Sequence, residues 1–210
     1  MTMRAFLADN RIVPVIVIDD AGAATDLVGA LVDGGIRCAE ITMRTPAGLH
    51  AIAAVAGIPG FTVGAGTVLS PIELQRVVDV GARFIVSPGF DDELVGLART
   101  LGVGVLPGVA TATEVQRAVG QGVEVVKFFP AGQLGGLRTI DALAAPFPGT
   151  GFVPSGGVTA DNAAEYLAHP SVPAISGSWM AGRELIAARD FDEIRRRTTE
   201  VVARIGGASA

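Results

Sequence analysis

Short runs rich in β-branched residues recur along the chain, each followed by a stretch in which apolar residues return every three or four positions. Eight such runs stand out: IVPVIVI at 12–18, CAEIT at 38–42, FTVGAG at 61–66, RFIVS at 83–87, VGVLP at 103–107, VEVVKF at 123–128, GFVPS at 151–155 and PAISG at 173–177. Runs this apolar suit parallel strands, which crossover helices bury on both faces. Eight βα units in succession predict an α/β fold, a closed (β/α)8 TIM barrel, with a short N-terminal helix over residues 2–9 capping one end. An open doubly wound sheet is the competing architecture. Against it, Gly64-Ala65-Gly66-Thr67 lacks the third glycine and the ribose-binding acid of a dinucleotide fingerprint.

The helices announce themselves locally. Ser70, Pro71 and Glu73 read as an N-cap, an N1 proline and an N3 glutamate, and Thr111 with Glu114 has capping-box spacing. Leu27, Val28, Leu31 and Val32 form one apolar stripe on the first crossover. Phe191, Ile194, Val201, Val202 and Ile205 form another on the final helix, and both stripes are expected to pack on the barrel exterior.

Composition narrows the class. Its 210 residues show no abrupt change of character, so one domain over 1–210 is expected. Mean hydropathy is +0.49, yet the longest apolar runs fall well short of the roughly 20 residues a membrane helix needs. Charged residues interrupt the N-terminal segment, and Asp19 and Asp20 follow the 12–18 run, so no export signal is expected. Cys38 stands alone and permits no internal disulfide, which suits a cytoplasmic location. A net charge of -5 with one Trp and one Tyr argues against a nucleic-acid partner. The arginines at 195–197 read as a solvated helix face. His50 and His169 have no acidic partner at ligand spacing, so neither a metal site nor a triad is expected, and no cofactor is called for.

One residue type changes the picture. Of sixteen Lys plus Arg, a single one is lysine, Lys127, and it lies within the apolar run Val-Val-Lys-Phe-Phe-Pro at 125–130. Guanidinium groups do not lose their proton, so this is the one side-chain amine able to act as a nucleophile. Desolvation in a strand drives an amine toward its neutral form, and neutral amines attack carbonyls to form Schiff bases. A genome poor in lysine codons would explain the rarity but not the position.

Alternation places Val125, Lys127 and Phe129 on one face of the sixth run, and Glu40, Thr42 and Arg44 on one face of the second. In an eight-stranded barrel these runs face each other, so an amine and a carboxylate are expected to share one small substrate at the C-terminal mouth. A simple salt bridge from Glu40 to Lys127 or Arg44 is compatible with that role. Pro154-Ser155-Gly156-Gly157 and Ser176-Gly177-Ser178-Trp179 end the last two runs. Glycine loops there can offer backbone N–H groups to a phosphate, although glycines also make ordinary tight turns. Arg44 is placed to grip a substrate carboxylate. Thr67, Pro88 and Pro107 end the third, fourth and fifth runs, where they either shape the mouth or serve only as turn residues.

The segments Gly35 through Glu40 to Arg44, and Gly122 through Lys127-Phe128-Phe129-Pro130-Ala131 to Gly135, resemble the two signatures of the class I 2-keto-3-deoxy-6-phosphogluconate (KDPG) and 4-hydroxy-2-oxoglutarate (KHG) aldolases. The Gly-Ala-Gly-Thr, Ser-Pro-Gly and Pro-Ser-Gly-Gly turns follow in the same order. The resemblance implies a Schiff-base lysine at Lys127, a proton-shuttling acid at Glu40, carboxylate recognition by Arg44 and Thr67, and a pyruvate pocket lined by Pro88 and Phe129. It also implies phosphate binding by Gly156, Gly157, Gly177 and Ser178, a small-molecule keto-acid substrate and a homotrimer. Two departures from the family pattern matter, at Met43 and Ser176, and Ser155 varies within it. Met43 replaces a leucine or phenylalanine, a harmless volume change. Ser155 stands where threonine is frequent and keeps a hydroxyl able to contact the sugar chain. Ser176 replaces a glycine in the phosphate loop, where it is expected to bear on phosphate affinity. KDPG cleavage is the expected activity, with KHG or 2-keto-3-deoxy-6-phosphogalactonate as alternative substrates and a sugar-phosphate isomerase or epimerase as the alternative from another class.

Overall fold

Parallel pairing organises the whole chain. The structure, a computed structural model, describes residues 2–206. Its strands are β1 Ile12–Ile16, β2 Cys38–Thr42, β3 Thr62–Gly66, β4 Phe84–Val86, β5 Gly104–Leu106, β6 Gly108–Val109, β7 Val125–Phe128, β8 Gly151–Pro154 and β9 Ile175–Gly177. They hydrogen-bond in the order β5-β4-β3-β2-β1-β9 and, separately, β6-β7-β8. Every pair is parallel. An isolated parallel bridge from Ser155 to Ser176 links the end of β8 to β9. The result is an α/β fold built on curled parallel sheets.

The fifth run ends at Pro107 as expected, and a two-residue strand not foreseen from the sequence, β6, follows it. The 103–107 run does not continue as one strand, because Pro107 has no N–H to donate and breaks the ladder. Before it, β5 pairs with β4; beyond it, β6 pairs with β7. The Pro107 carbonyl still accepts from Lys127 N at 2.9 Å, so the proline also marks where the chain changes partner.

Helices follow the strands: α1 Met3–Asp9, α2 Ala24–Asp33, α3 Gly48–Val55, α4 Pro71–Asp79, α5 Asp92–Thr100, α6 Ala112–Gly120, α7 Leu137–Ala144, α8 Ala163–Leu167, α9 Arg183–Ala187 and α10 Phe191–Gly206. The local start signals hold. The Ser70 hydroxyl accepts from Glu73 N, and Thr111 and Glu114 form a complete capping box. Leu27, Val28 and Leu31 of α2 and Ile194 and Val201 of α10 are buried against the sheets. The arginine cluster is more than a solvated face: Arg195 and Arg196 pair with neighbouring carboxylates on α10, whereas Arg197 also donates to the Trp179 carbonyl.

Alternation along each strand sorts side chains into two apolar layers. Ile16, Ile41, Ile85, Val126, Phe152 and Ile175 face the helices. Val13, Cys38, Phe84, Leu106, Val125 and Val153 face inward, where Phe6 and Leu7 of α1 join them. The rings of Phe6 and Phe84 lie 5.1 Å apart. The N-terminal helix thus plugs the end of the interior from which the strands start, leaving the strand C-termini as the open end.

Candidate active site

Two charged side chains meet inside the sheet. Lys127 on β7 is 4% exposed, Glu40 on β2 is fully buried, and Lys127 Nζ lies 3.4 Å from Glu40 Oε1. This is longer than the roughly 2.7–2.9 Å of a tight charge-assisted bond. The other carboxylate oxygen, Oε2, has no hydrogen-bond partner among the described residues. Burying a carboxylate half-satisfied is unfavourable for stability, and such groups concentrate where they do chemistry.

Backbone economy next to Glu40 makes room for it. Gly66, paired with Thr42 across β2 and β3, has no side chain, and a Cβ there would sit 2.2 Å from Glu40 Oε1. The sequence reading overlooked Gly66 as a site residue. Its signal lay in the alternation of β3, which turns Gly64 and Gly66 inward together.

The remaining expected residues lie at or just beyond the C-terminal ends of the strands. Phe129 follows Lys127 on the same face, its ring centroid 5.4 Å from Nζ, within cation–π range. Arg44 Nε donates to Thr67 Oγ1 at 3.2 Å, joining the ends of β2 and β3. Thr67 holds φ at +58°, a conformation unfavourable for a β-branched residue. Pro88 closes on β6, where a Cβ at Gly108 would be 2.1 Å from its carbonyl oxygen. Gly156 and Gly157 adopt φ of +82° and +86°, and a Cβ on Gly156 would come 3.2 Å from the Phe129 ring. Ser155 and Gly156 accept from Ala131 N and Gly132 N at 2.8 Å, so this loop is zipped to the segment after Lys127. Gly177 is pressed against the Trp179 ring, and Ser178 is exposed before a short 3-10 turn, Trp179–Ala181.

Ser176 shares the inward face of Ala174, is fully buried, and its hydroxyl has no partner among the described residues. His169 has an acidic neighbour that its sequence context does not show: its Nε2 lies 2.7 Å from Asp141 Oδ1, and its Nδ1 accepts from Ser171 N. Among the described residues no group of three or more His, Cys, Asp or Glu is placed to hold a metal ion. No helix among them is long and apolar enough to cross a membrane. A concavity of about 420 Å3, lined in part by Asp9, Arg37 and Val202, opens where the strands begin, away from Lys127.

The sequence model of the KDPG and KHG aldolases matches residues 3–197. The chain belongs to the KDPG and KHG aldolase family. It is 43% identical over 197 residues to a 2-dehydro-3-deoxy-phosphogluconate aldolase of Treponema pallidum, covering 93% of this chain and 94% of that one. It is 38% identical over 199 residues to the KHG/KDPG aldolase of Escherichia coli K12, covering 94% and 93%. Among solved structures, the KDPG aldolase of Legionella pneumophila superposes with a TM-score of 0.91 at 36% identity, over 94% of this chain and 97% of that one. In that crystal structure pyruvate was captured at low pH as a covalent carbinolamine intermediate. The Zymomonas mobilis ZM4 aldolase, solved with 3-phosphoglycerate, gives a TM-score of 0.87 at 36% identity, over 95% and 94%. Within the family framework, a buried amine against a buried carboxylate is an arrangement suited to moving protons around a carbonyl carbon bound to nitrogen.

Proposed function

We propose that this aldolase cleaves 2-keto-3-deoxy-6-phosphogluconate to pyruvate and glyceraldehyde 3-phosphate through a Schiff base on Lys127. The observation that carries the reading is the 3.4 Å approach of the sole lysine to a fully buried glutamate. In this mechanism Nζ passes a proton to Glu40 and attacks the C2 ketone, and the alkoxide so formed takes a second proton from the now positively charged nitrogen to give the carbinolamine. Glu40 returns the proton to the resulting hydroxyl, which leaves as water while the nitrogen lone pair closes the iminium. Glu40, directly or through a water, then takes the C4 hydroxyl proton. The C3–C4 electron pair flows to the positively charged nitrogen, releasing the aldehyde and leaving an enamine. Protonation of C3 and hydrolysis free pyruvate.

In the same reading Arg44 and Thr67 hold the substrate carboxylate, Pro88 and Phe129 line the pyruvate pocket, and Ser155 contacts the sugar chain. Gly156, Gly157, Gly177 and Ser178 receive the phosphate through backbone N–H groups and a hydroxyl. The strand order and the Ser155–Ser176 bridge support treating the two sheets as one closed (β/α)8 barrel, with β5 and β6 as a single strand interrupted at Pro107. A cytoplasmic homotrimer completes the proposal. Exposed Leu69 and Ile72 supply apolar surface that association would cover, and sedimentation equilibrium tests the assembly.

Pyruvate release from KDPG, followed with lactate dehydrogenase and NADH, tests the activity. Steady turnover without added metal is the expected result; no turnover at any substrate concentration contradicts it. The double name of the Escherichia coli relative favours KHG as a second substrate. The ratio of kcat/KM on the two compounds ranks them, with KDPG expected to be preferred.

A further inference from the structure

Ser176 occupies a place in the interior that connects it to both reacting side chains. Lys127 pairs with Val153 on β8, and Ser155, two residues further along, is bridged to Ser176 on β9. Ser176 pairs in turn with Val13 on β1, and Val15, again two residues further, pairs with Glu40. Each step of two strands therefore advances by two residues. That is the stagger of about one residue per strand that levels inward side chains on alternate strands of an eight-stranded barrel into one layer of four. On the barrel reading proposed above, Lys127, Ser176 and Glu40 form one such layer, and Val86 of β4 closes it.

The polar atoms of this layer are not matched by protein partners. Ser176 Oγ and Glu40 Oε2 are both buried and lack a hydrogen-bond partner among the described residues. Native interiors rarely leave such groups unpaired; a small polar guest with two or more partners usually satisfies them. The guest the chemistry generates here is a single oxygen. When Nζ adds to a ketone, the carbonyl oxygen becomes a hydroxyl one bond from the carbon attached to Nζ, and it must reach Glu40 to collect its proton.

We propose that Ser176 binds this departing oxygen, so that the hydroxyl group and Glu40 hold it from two sides. This inference deepens the aldolase reading and rests on it. In the step concerned, the C2–O bond breaks, the oxygen takes a proton from the Glu40 carboxyl group and leaves as water, and the Lys127 nitrogen lone pair forms the C=N bond. Ser176 donates its O–H to the oxygen and keeps its own proton. On the return path the same contact positions the water that hydrolyses the iminium.

Rapid-quench trapping with borohydride, with pyruvate varied, separates this role from a structural one. Ser176→Ala and Ser176→Gly both remove the hydroxyl while changing volume and backbone freedom differently. The maximal rate constant for adduct formation on Lys127 is expected to fall about tenfold in both, the scale of one lost hydrogen bond in a transition state. The pyruvate concentration giving half that rate is expected to stay at its wild-type value in both variants, and the melting temperature to stay there in Ser176→Ala, whereas the freer backbone of Ser176→Gly lowers it slightly. A rate constant equal to wild type in both variants overturns the inference, as does a change confined to half-saturation or melting temperature. If the wild-type chain itself forms no adduct, the aldolase reading fails first and takes the inference with it.

Discussion

Lys127 was legible because two properties coincide in the bare sequence: it is the sole lysine, and it interrupts an apolar run. Glu40 followed from alternation and from the opposition of the second and sixth runs, and the Nζ–Oε1 approach agrees with that placement. The orientation of Ser176 was not legible, because a motif tells which residue occupies a position but not which side of a strand it faces; Ala174, two residues before it, carried that information. Glu40→Gln retains shape but cannot shuttle protons, so kcat on KDPG is expected to fall by about 10²–10⁴-fold with the fold intact, read by steady-state kinetics and far-UV circular dichroism. Cys38 gives a prediction of another kind. Burial pushes its thiol from 9.0 up to about 12, so the folded protein keeps it protonated where an unfolded chain would ionise. The raised value stabilises the fold fully below pH 9, and that contribution is lost as pH climbs from about 9 toward 12. Ellman's reagent at pH 8 is therefore expected to report no thiol in the native protein and one after denaturation; rapid native reaction would show the side chain reaching solvent.

At the scale of elements, β3 shows two inward glycines serving different ends. A Cβ on Gly64 would lie 2.3 Å from the Phe84 ring, and one on Gly66 would lie 2.2 Å from the Glu40 carboxylate. Gly64→Ala is expected to overpack the plugged end of the interior and cost about 1–3 kcal/mol of stability, measured by urea unfolding. Gly66→Ala pushes on Glu40 instead, so its signature should be lost kcat out of proportion to any change in unfolding midpoint. Equal effects of the two substitutions on both measurements would refute this division. The helix starts at Ser70 and Thr111 were legible because capping involves residues three apart. The end of the fifth strand at Pro107 was legible too, but the short strand β6 beyond it was not, since β5 and β6 differ in the strand each pairs with, and pairing across 20 or so residues leaves little local trace.

For the molecule as a whole, α1 ties the chain start to the interior through Phe6, Leu7 and the Phe6–Phe84 ring contact. Phe6→Ala is expected to lower stability by about 3–5 kcal/mol while leaving KM for KDPG unchanged in the protein that remains folded, because the plug and the reacting pair occupy opposite ends. The succession of strand and helix runs was enough to read parallel α/β architecture, since helices between the strands cover the outward face of the sheets. Contacts between distant segments were not readable: Asp141 meets His169 and Arg197 meets the Trp179 carbonyl only once the helices are packed. The central claim is that Lys127 forms a covalent iminium with pyruvate, and borohydride reduction followed by tryptic mapping tests it most directly. A modified lysine resists trypsin, so the account predicts one adduct per chain on a single peptide spanning residues 118–138. Cleavage after Lys127 as in the untreated protein, or an adduct on the terminal amine alone, would contradict it.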